Sequence, residues 1–424
     1  MTDSEIGQLP AASLAPPPRA PILRLLLVAA WIFCVVMFAK YVAYQPYVTE
    51  RGVDFEKHHI AAERVLRGES PMDGELFLCF NYPTFTALIF LFLALFDVKT
   101  AEIVWDYFHI LMIILSLVVF IWGMRPKLGN LMERRSDGLS PPVAEWVRRH
   151  WISMGALAFF VFTPGYDDLS VGNIQPLNLF LVVLLCALAR NKRDLAAGVA
   201  LAALCLIKIV PVFLVPVFVI AGRRRVFYGW LISMGVYGLL LAATGWWRWD
   251  WYLLTETLPN VGYRWRDISH SLTALVAWRI PDVYESKPLY DLVGKSLVAG
   301  LLVIHGVLYL LGWKRYRRSW EAGLIFTSLL TPLLSPLLEF HHFCFAFSAW
   351  ALVIVGFVEG RVSKMYFWIS MTLWLGVFVG QFLQDLSTGL PFWALCVGAL
   401  SLLLLWFHTG LSAGFNGEQT HNEP

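Results

Sequence analysis

The chain has 424 residues, 58% of them hydrophobic and only 15% charged, with a formal net charge of +3. Soluble domains run at about 45–50% apolar and about 25% charged, and a water-soluble fold of this make-up would expose more apolar surface than water tolerates. A soluble enzyme, a disordered protein and a nucleic-acid binder working through a basic face are therefore excluded. Of six cysteines, Cys34, Cys186, Cys205, Cys344 and Cys396 lie in apolar runs and Cys79 in a polar loop. Their spacing matches neither a disulfide framework nor a metal site.

Residues 1–20 are polar and proline-rich and read as a disordered tail. They lack the apolar h-region of a signal peptide, so the first apolar run reads as an anchor. Twelve candidate membrane helices follow, at 21–43, 100–123, 150–164, 176–190, 195–209, 211–222, 227–244, 291–313, 320–337, 342–358, 366–383 and 391–408. Spanning takes about 20 apolar residues, fewer where a helix stops at a buried cavity. The short runs pair as 150–190 and 195–222, which predicts hairpins ending at a crevice within the membrane. The expected fold is an all-α polytopic membrane protein of about 12 spans over 21–410, with a second tail at 411–424.

Cations orient the set. Five clusters, at Arg125–Arg149, Arg190–Arg193, Arg223–Arg225, Lys314–Arg318 and Arg361–Lys364, all belong in the cytoplasm, with both termini. Segment 84–96 breaks that parity if it crosses, so it reads as a half-inserted or juxtamembrane helix on the outer face. Two large loops, 44–83 and 245–290, then face outward. The second holds Trp246, Trp247, Trp249, Trp251 and Trp265, an interfacial aromatic belt. No internal repeat is evident, which argues against a transporter built from inverted halves.

Polar residues at the outer helix ends form the candidate site. Residues 54–66 predict an amphipathic helix on the membrane surface, with Phe55, Ile60, Ala61 and Val65 inward and Glu56, Lys57, Glu63 and Arg64 elsewhere. Asp54 stands where an N-cap belongs. It is either that cap or a carboxylate at the water–lipid boundary able to act as a general base. Loop 163–178 carries Asp167, Asp168, Asn173, Gln175 and Asn178. Lys208 lies inside LCLIKIVPVFL, where an ionisable residue costs at least about 2.5 kcal/mol unless it snorkels or faces a polar cavity. Glu339, His341 and His342 close another outer helix end. Phosphate-loop, dinucleotide, zinc-protease and serine-hydrolase signatures are absent.

These pieces, in this order, resemble glycosyltransferase family 87, integral-membrane enzymes of the GT-C class that include polyprenyl-phosphate-mannose-dependent mannosyltransferases. The likeness runs from about residue 21 to 360. It rests on Asp54-Phe55, Ala61-Ala62 and Leu66-x-Gly68, then Tyr82-Pro83 and Gly172-Asn173-Ile174-Gln175. Gly198 through Lys208-x-x-Pro211, the basic exit at Arg223–Arg225, and Ser335-Pro336 with His341-His342 complete it. The chain departs from the family pattern with His58-His59 for an aromatic pair, Thr84 for a second proline and Glu339 for a tryptophan.

The resemblance implies a GT-C fold and transfer of a hexose, mannose first, from a polyprenyl-phosphate sugar to a lipid or glycan acceptor. The reaction would take place on the extracytoplasmic face of the cell membrane, without metal or cofactor. Asp54 would deprotonate the acceptor hydroxyl in one inverting displacement through an oxocarbenium-like transition state. Lys208, His341 and His342 would hold the donor phosphate. Gln175, Asn178, His58, His59, Asp168 and Glu339 would bind sugar or acceptor, with Arg64, Arg264 and Arg266 in reserve. The rival readings are a lipid or glycan transporter and an oligosaccharide polymerase or ligase.

Overall fold

The computed structural model describes residues 53–72, 80–127, 141–162, 172–264, 269, 271–335 and 340–384, with seven helical positions between 25 and 39. The described residues are helices and turns. The elements that position the site are α1 (Val53–Leu66), α2 (Thr84–Ile89), α3 (Val98–Gly123), α4 (Trp151–Val161), α5 (Gln175–Arg190), α6 (Asp194–Ile207) and α7 (Arg224–Thr244). They continue with α8 (Trp247–Tyr252), α9 (Leu258–Arg264), α10 (Lys287–Leu311), α11 (Trp320–Leu333), α12 (Phe347–Val358) and α13 (Lys364–Gln384). By length and composition α3, α7 and α10 can each cross a membrane. Shorter apolar helices include α4, α5 and α6. Run 391–408 lies outside the described residues, as do both tails.

Sequence predicts one helix over 211–222, but the chain makes a 3-10 turn at Val210–Leu214 and a separate helix at Val215–Ile220. Pro211 and Pro216 cause this, because each lacks an N–H and crowds the preceding turn. Segment 84–96 forms α2 and a 3-10 turn at Leu93–Leu95. Six helical residues reach about 9 Å, well short of the roughly 30 Å hydrocarbon core.

Two distinct ends define the bundle. At one, four charges close a ring: Arg190 pairs with Glu321 and Glu359, and Arg361 pairs with the same two carboxylates. Lys127 joins it, donating its backbone N–H to Glu359 at 2.5 Å and its ammonium to the Arg190 carbonyl at 3.0 Å. Nearby, Arg223 pairs with Asp194 and lies 5.1 Å from the Trp320 ring. The ring thus ties the far ends of α3, α5, α11 and α12 together. Removing one partner from a buried ion pair costs about 3–5 kcal/mol, because the other charge stays buried. Arg190→Met is expected to lower stability by that order, read as a large drop in Tm of the purified protein. A Tm within a degree of wild type would show that the ring contributes little.

From this basic end α5, α6, α11 and α12 all extend to the other end, where their opposite termini approach one another. Gln175 opens α5, Lys208 closes α6, Ser335 follows α11, and the 3-10 turn Phe340–Ala346 precedes α12. Close packing sets the spacing. A β-carbon on Gly198 would stand 2.1 Å from the Val226 carbonyl, and one on Gly229 would stand 2.2 Å from that of Leu195. Helices α6 and α7 therefore meet backbone to backbone, the small-residue contact common in membrane bundles.

α1 departs from its expected role as a surface helix. Its buried side takes in Lys57, His58 and His59 besides Phe55, Ala61, Ala62 and Val65. Beneath it, Phe55, Phe90 and Trp105 form an aromatic cluster. The polar residues are drawn in because α2, the 3-10 turn and α3 pack around the helix.

Candidate active site

Asp54 is the second residue of α1 and not its N-cap. Its carboxylate accepts a hydrogen bond from Asn173 Nδ2 at 2.6 Å and pairs with Lys57 one turn along. Asn173 is oriented in turn. Its Oδ1 accepts from the Tyr82 hydroxyl at 3.0 Å and from the Ile174 backbone N–H at 2.6 Å. Gly172 precedes it at φ +75° and presents its carbonyl to the Trp105 indole N–H at 3.0 Å. That left-handed turn favours glycine. It sets the asparagine against α1.

Tyr82 is placed by the start of α2. Asp250 on α8 accepts from the Thr84 backbone N–H at 2.8 Å and from the Tyr237 hydroxyl at 2.7 Å. Tyr237 accepts from the Phe85 N–H at 3.1 Å. These bonds satisfy N–H groups that a helix start leaves unpaired. On the opposite wall, α6 stops at Lys208, whose backbone is extended and whose N–H still bonds Leu204 at 2.9 Å. The Lys208 ammonium sits 6.0 Å from the Tyr82 ring centroid.

A cavity of about 230 Å³ gathers Asp54, Lys57, Asn81, Tyr82, Asn173, Lys208, Ser335 and His342, with an apolar wall from α9 and the Val210–Leu214 turn. A second cavity of about 340 Å³ shares Leu258 and Ser335 with it and is largely apolar, lined by Leu272, Leu297, Val298, Leu301 and Leu302. Both spaces are mostly apolar in their lining, and the second also has Asp291 and Lys295 in its wall. The first holds a carboxylate, two ammonium groups and an imidazole, a set able to accept a proton and neutralise an anion together.

Three of the residues singled out from sequence, Asp54, Lys208 and His342, thus share one cavity. Gln175 and Asn178 lie behind its wall, fully buried, where Gln175 Oε1 accepts from Asn178 Nδ2 at 2.9 Å and from the Cys344 thiol at 3.3 Å. His58 is also behind the wall, stacked on Phe90 at 4.6 Å. Burial first, and the Lys57 ammonium next, push it down to about 3, so it is neutral near pH 7. His59 is buried too, with Nε2 3.2 Å from the Phe96 carbonyl. Arg64 and Arg264 are not among the cavity's lining. Asp168, Glu339 and Arg266 lie outside the described residues, and of His341 only the backbone is described.

Sequence reasoning missed Lys57 and Asn81 and left Asn173 without a role. Asn81 Oδ1 is buried without a hydrogen-bond partner, an acceptor open to a substrate hydroxyl. The signal for Lys57 was its i, i+3 spacing from Asp54. The signal for Asn173 was the glycine before it.

Comparison with known proteins decides the class. The family model for glycosyltransferase family 87 matches residues 80–338. The chain belongs to glycosyltransferase family 87. No curated relative matches it. A family 87 chain is a membrane glycosyltransferase, which removes the transporter reading. The matched stretch takes in Tyr82, Asn173, Lys208 and Ser335 but begins after Asp54 and Lys57 and ends before His342. Those three join the site through the geometry of the cavity.

Proposed function

We propose that the protein moves a hexose, mannose first, from a polyprenyl monophosphate to a lipid or glycan acceptor at the extracytoplasmic face of the cell membrane, with inversion at the anomeric carbon. The observation that carries this reading is the meeting of Asp54, Lys208 and His342 in one cavity, drawn from segments about 290 residues apart at the extremes. Asp54 takes the acceptor's proton. Lys208 neutralises the phosphate as the glycosidic bond breaks, and His342 donates a hydrogen bond to it. Asn81 accepts a hydrogen bond from a sugar hydroxyl. The apolar cavity next door supports a substrate that carries a hydrocarbon chain into the site, because such a chain needs a greasy path beside the polar head.

The extracytoplasmic placement rests on the basic clusters, which the positive-inside rule assigns to the cytoplasm. The ion-paired ring puts Lys127, Arg190 and Arg361 at the end of the bundle opposite Asp54. Membranes containing the protein are expected to transfer label from a radiolabelled polyprenyl-phosphate mannose and not from a nucleotide sugar. Label moving only from the nucleotide sugar would refute the donor. Cysteines at positions 137 and 225 are expected to react with impermeant thiol reagents only after the membrane is opened, and one at position 73 in intact cells. Labelling of position 137 from outside would reverse the topology.

A further inference from the structure

Lys57 has no part in the reaction as written above, and its position gives it one. It is 8% exposed, whereas Glu56 beside it on α1 is exposed. It pairs with Asp54 at i, i+3 and lines the same cavity as Lys208 and His342. A lysine held this way gives up hydration that the open face of the helix would have left it.

Charge conservation shows what it can do. With His342 neutral, Asp54, Lys57 and Lys208 leave the cavity one net positive charge. A sugar phosphodiester brings one negative charge, so the filled site is neutral. In the transfer step the acceptor oxygen forms a bond to the anomeric carbon. The bond from that carbon to the phosphate oxygen breaks, and its electron pair stays on the phosphate. The hydroxyl proton passes to Asp54. Asp54 becomes neutral, the leaving phosphate monoester carries two negative charges, and the sum remains zero. One negative charge has crossed the cavity from Asp54 to the phosphate. An ammonium fixed on Asp54 would oppose that movement.

We propose that Lys57 is a mobile counter-ion of the transfer step, which orients Asp54 as an anion beforehand and moves toward the donor phosphate as charge passes there. This rests on reading the cavity as a sugar-phosphate transferase site. Lys57 acts on the proton acceptor and is a positioning residue in that sense. A lysine suits the task because its flexible stem carries a compact charge, whereas arginine presents a rigid planar fork.

The test is the pH dependence of kcat/KM in Lys57→Met and Lys57→Arg. Asp54 is faced by Lys57 and His58 from α1, by Asn173 and, through it, Tyr82, by Lys208 from α6 and by His342 from the turn before α12. His58 is neutral across the working range. His342 is separated by profiling His342→Gln in parallel. A carboxylate stripped of an adjacent ammonium holds its proton to higher pH. Lys57→Met is therefore expected to raise the acid limb by about one pH unit and to lower kcat at least about tenfold. Lys57→Arg is expected to keep the acid limb near wild type and recover only part of kcat. An unmoved acid limb in Lys57→Met, whatever the loss of rate, overturns the proposal, and so does full kcat in Lys57→Arg. If Lys57→Met does not fold, Lys57→Gln gives the same comparison. If the wild type uses a nucleotide sugar and no lipid phosphate, the donor reading fails, and the acid limb measured with that nucleotide sugar still decides the part of Lys57.

Discussion

Asp54→Asn is expected to cut sugar transfer by about 10²–10⁴-fold, the usual range for losing a general base. The substitution keeps the side chain's size and an acceptor oxygen, and it breaks the largely buried ion pair to Lys57. Asparagine has the size of aspartate, and its amide oxygen can still accept the hydrogen bond that Asn173 Nδ2 now gives to the carboxylate. The helix start is unaffected, because Asp54 lies within the first turn and does not cap it. What disappears is the capacity to take the acceptor's proton, together with the ion pair to Lys57. Rates on purified enzyme at saturating donor and acceptor, beside thermal unfolding of both proteins, separate chemistry from folding. A variant that keeps more than about a tenth of the wild-type rate removes Asp54 from the role of base.

The same residue shows how far a sequence carries the argument. A carboxylate ahead of an apolar periodicity marks a helix start, and the helix is there, although it begins one residue earlier and leaves Asp54 inside. Apolar runs 100–123, 176–190 and 227–244 correspond to α3, α5 and α7 because length and hydropathy decide helices in a membrane without help from neighbours. Lys208 was legible for the same reason, since a charge inside LCLIKIVPVFL needs an explanation. Lys57 was not. On a 3.6-residue period it falls off the apolar face of α1, and a charged residue there reads as solvated. Only the packing of α2 and α3 around the helix shows that this face is covered. Gln175 and Asn178 are a different case: they are not among the lining of the Asp54 cavity, and in a sequence an amide near a helix end looks the same whether it faces a cavity or another amide. Gly172, at φ +75°, stands directly before Asn173, which lines the cavity, whereas Gln175 two residues on does not.

Lys208→Met is expected to lower kcat by about 10²-fold or more and to raise the KM for the donor, with little change in the KM for the acceptor. The residue is the C-cap of α6, where the last carbonyls of the helix favour a cation. Its ammonium reaches the cavity beside Tyr82 and not the basic end of the bundle, where Asp194 at the other end of α6 is paired with Arg223. A snorkelling lysine would run toward a headgroup region and lose nothing by substitution. A lysine on a leaving phosphate meets a charge that grows as the glycosidic bond breaks, so its contribution is larger in the transition state than in the bound donor. Methionine preserves the stem's length and apolar packing and removes only the charge. Arginine is expected to restore part of the rate, because a planar fork on an extended residue does not place its charge where a compact ammonium does. Donor-saturation curves at fixed acceptor, and the reverse, distinguish the outcomes. Equal losses toward both substrates would mean a general distortion of the cavity. A variant matching wild type in donor affinity and maximal rate would place the phosphate away from Lys208, leaving His342 and Lys57 to hold it.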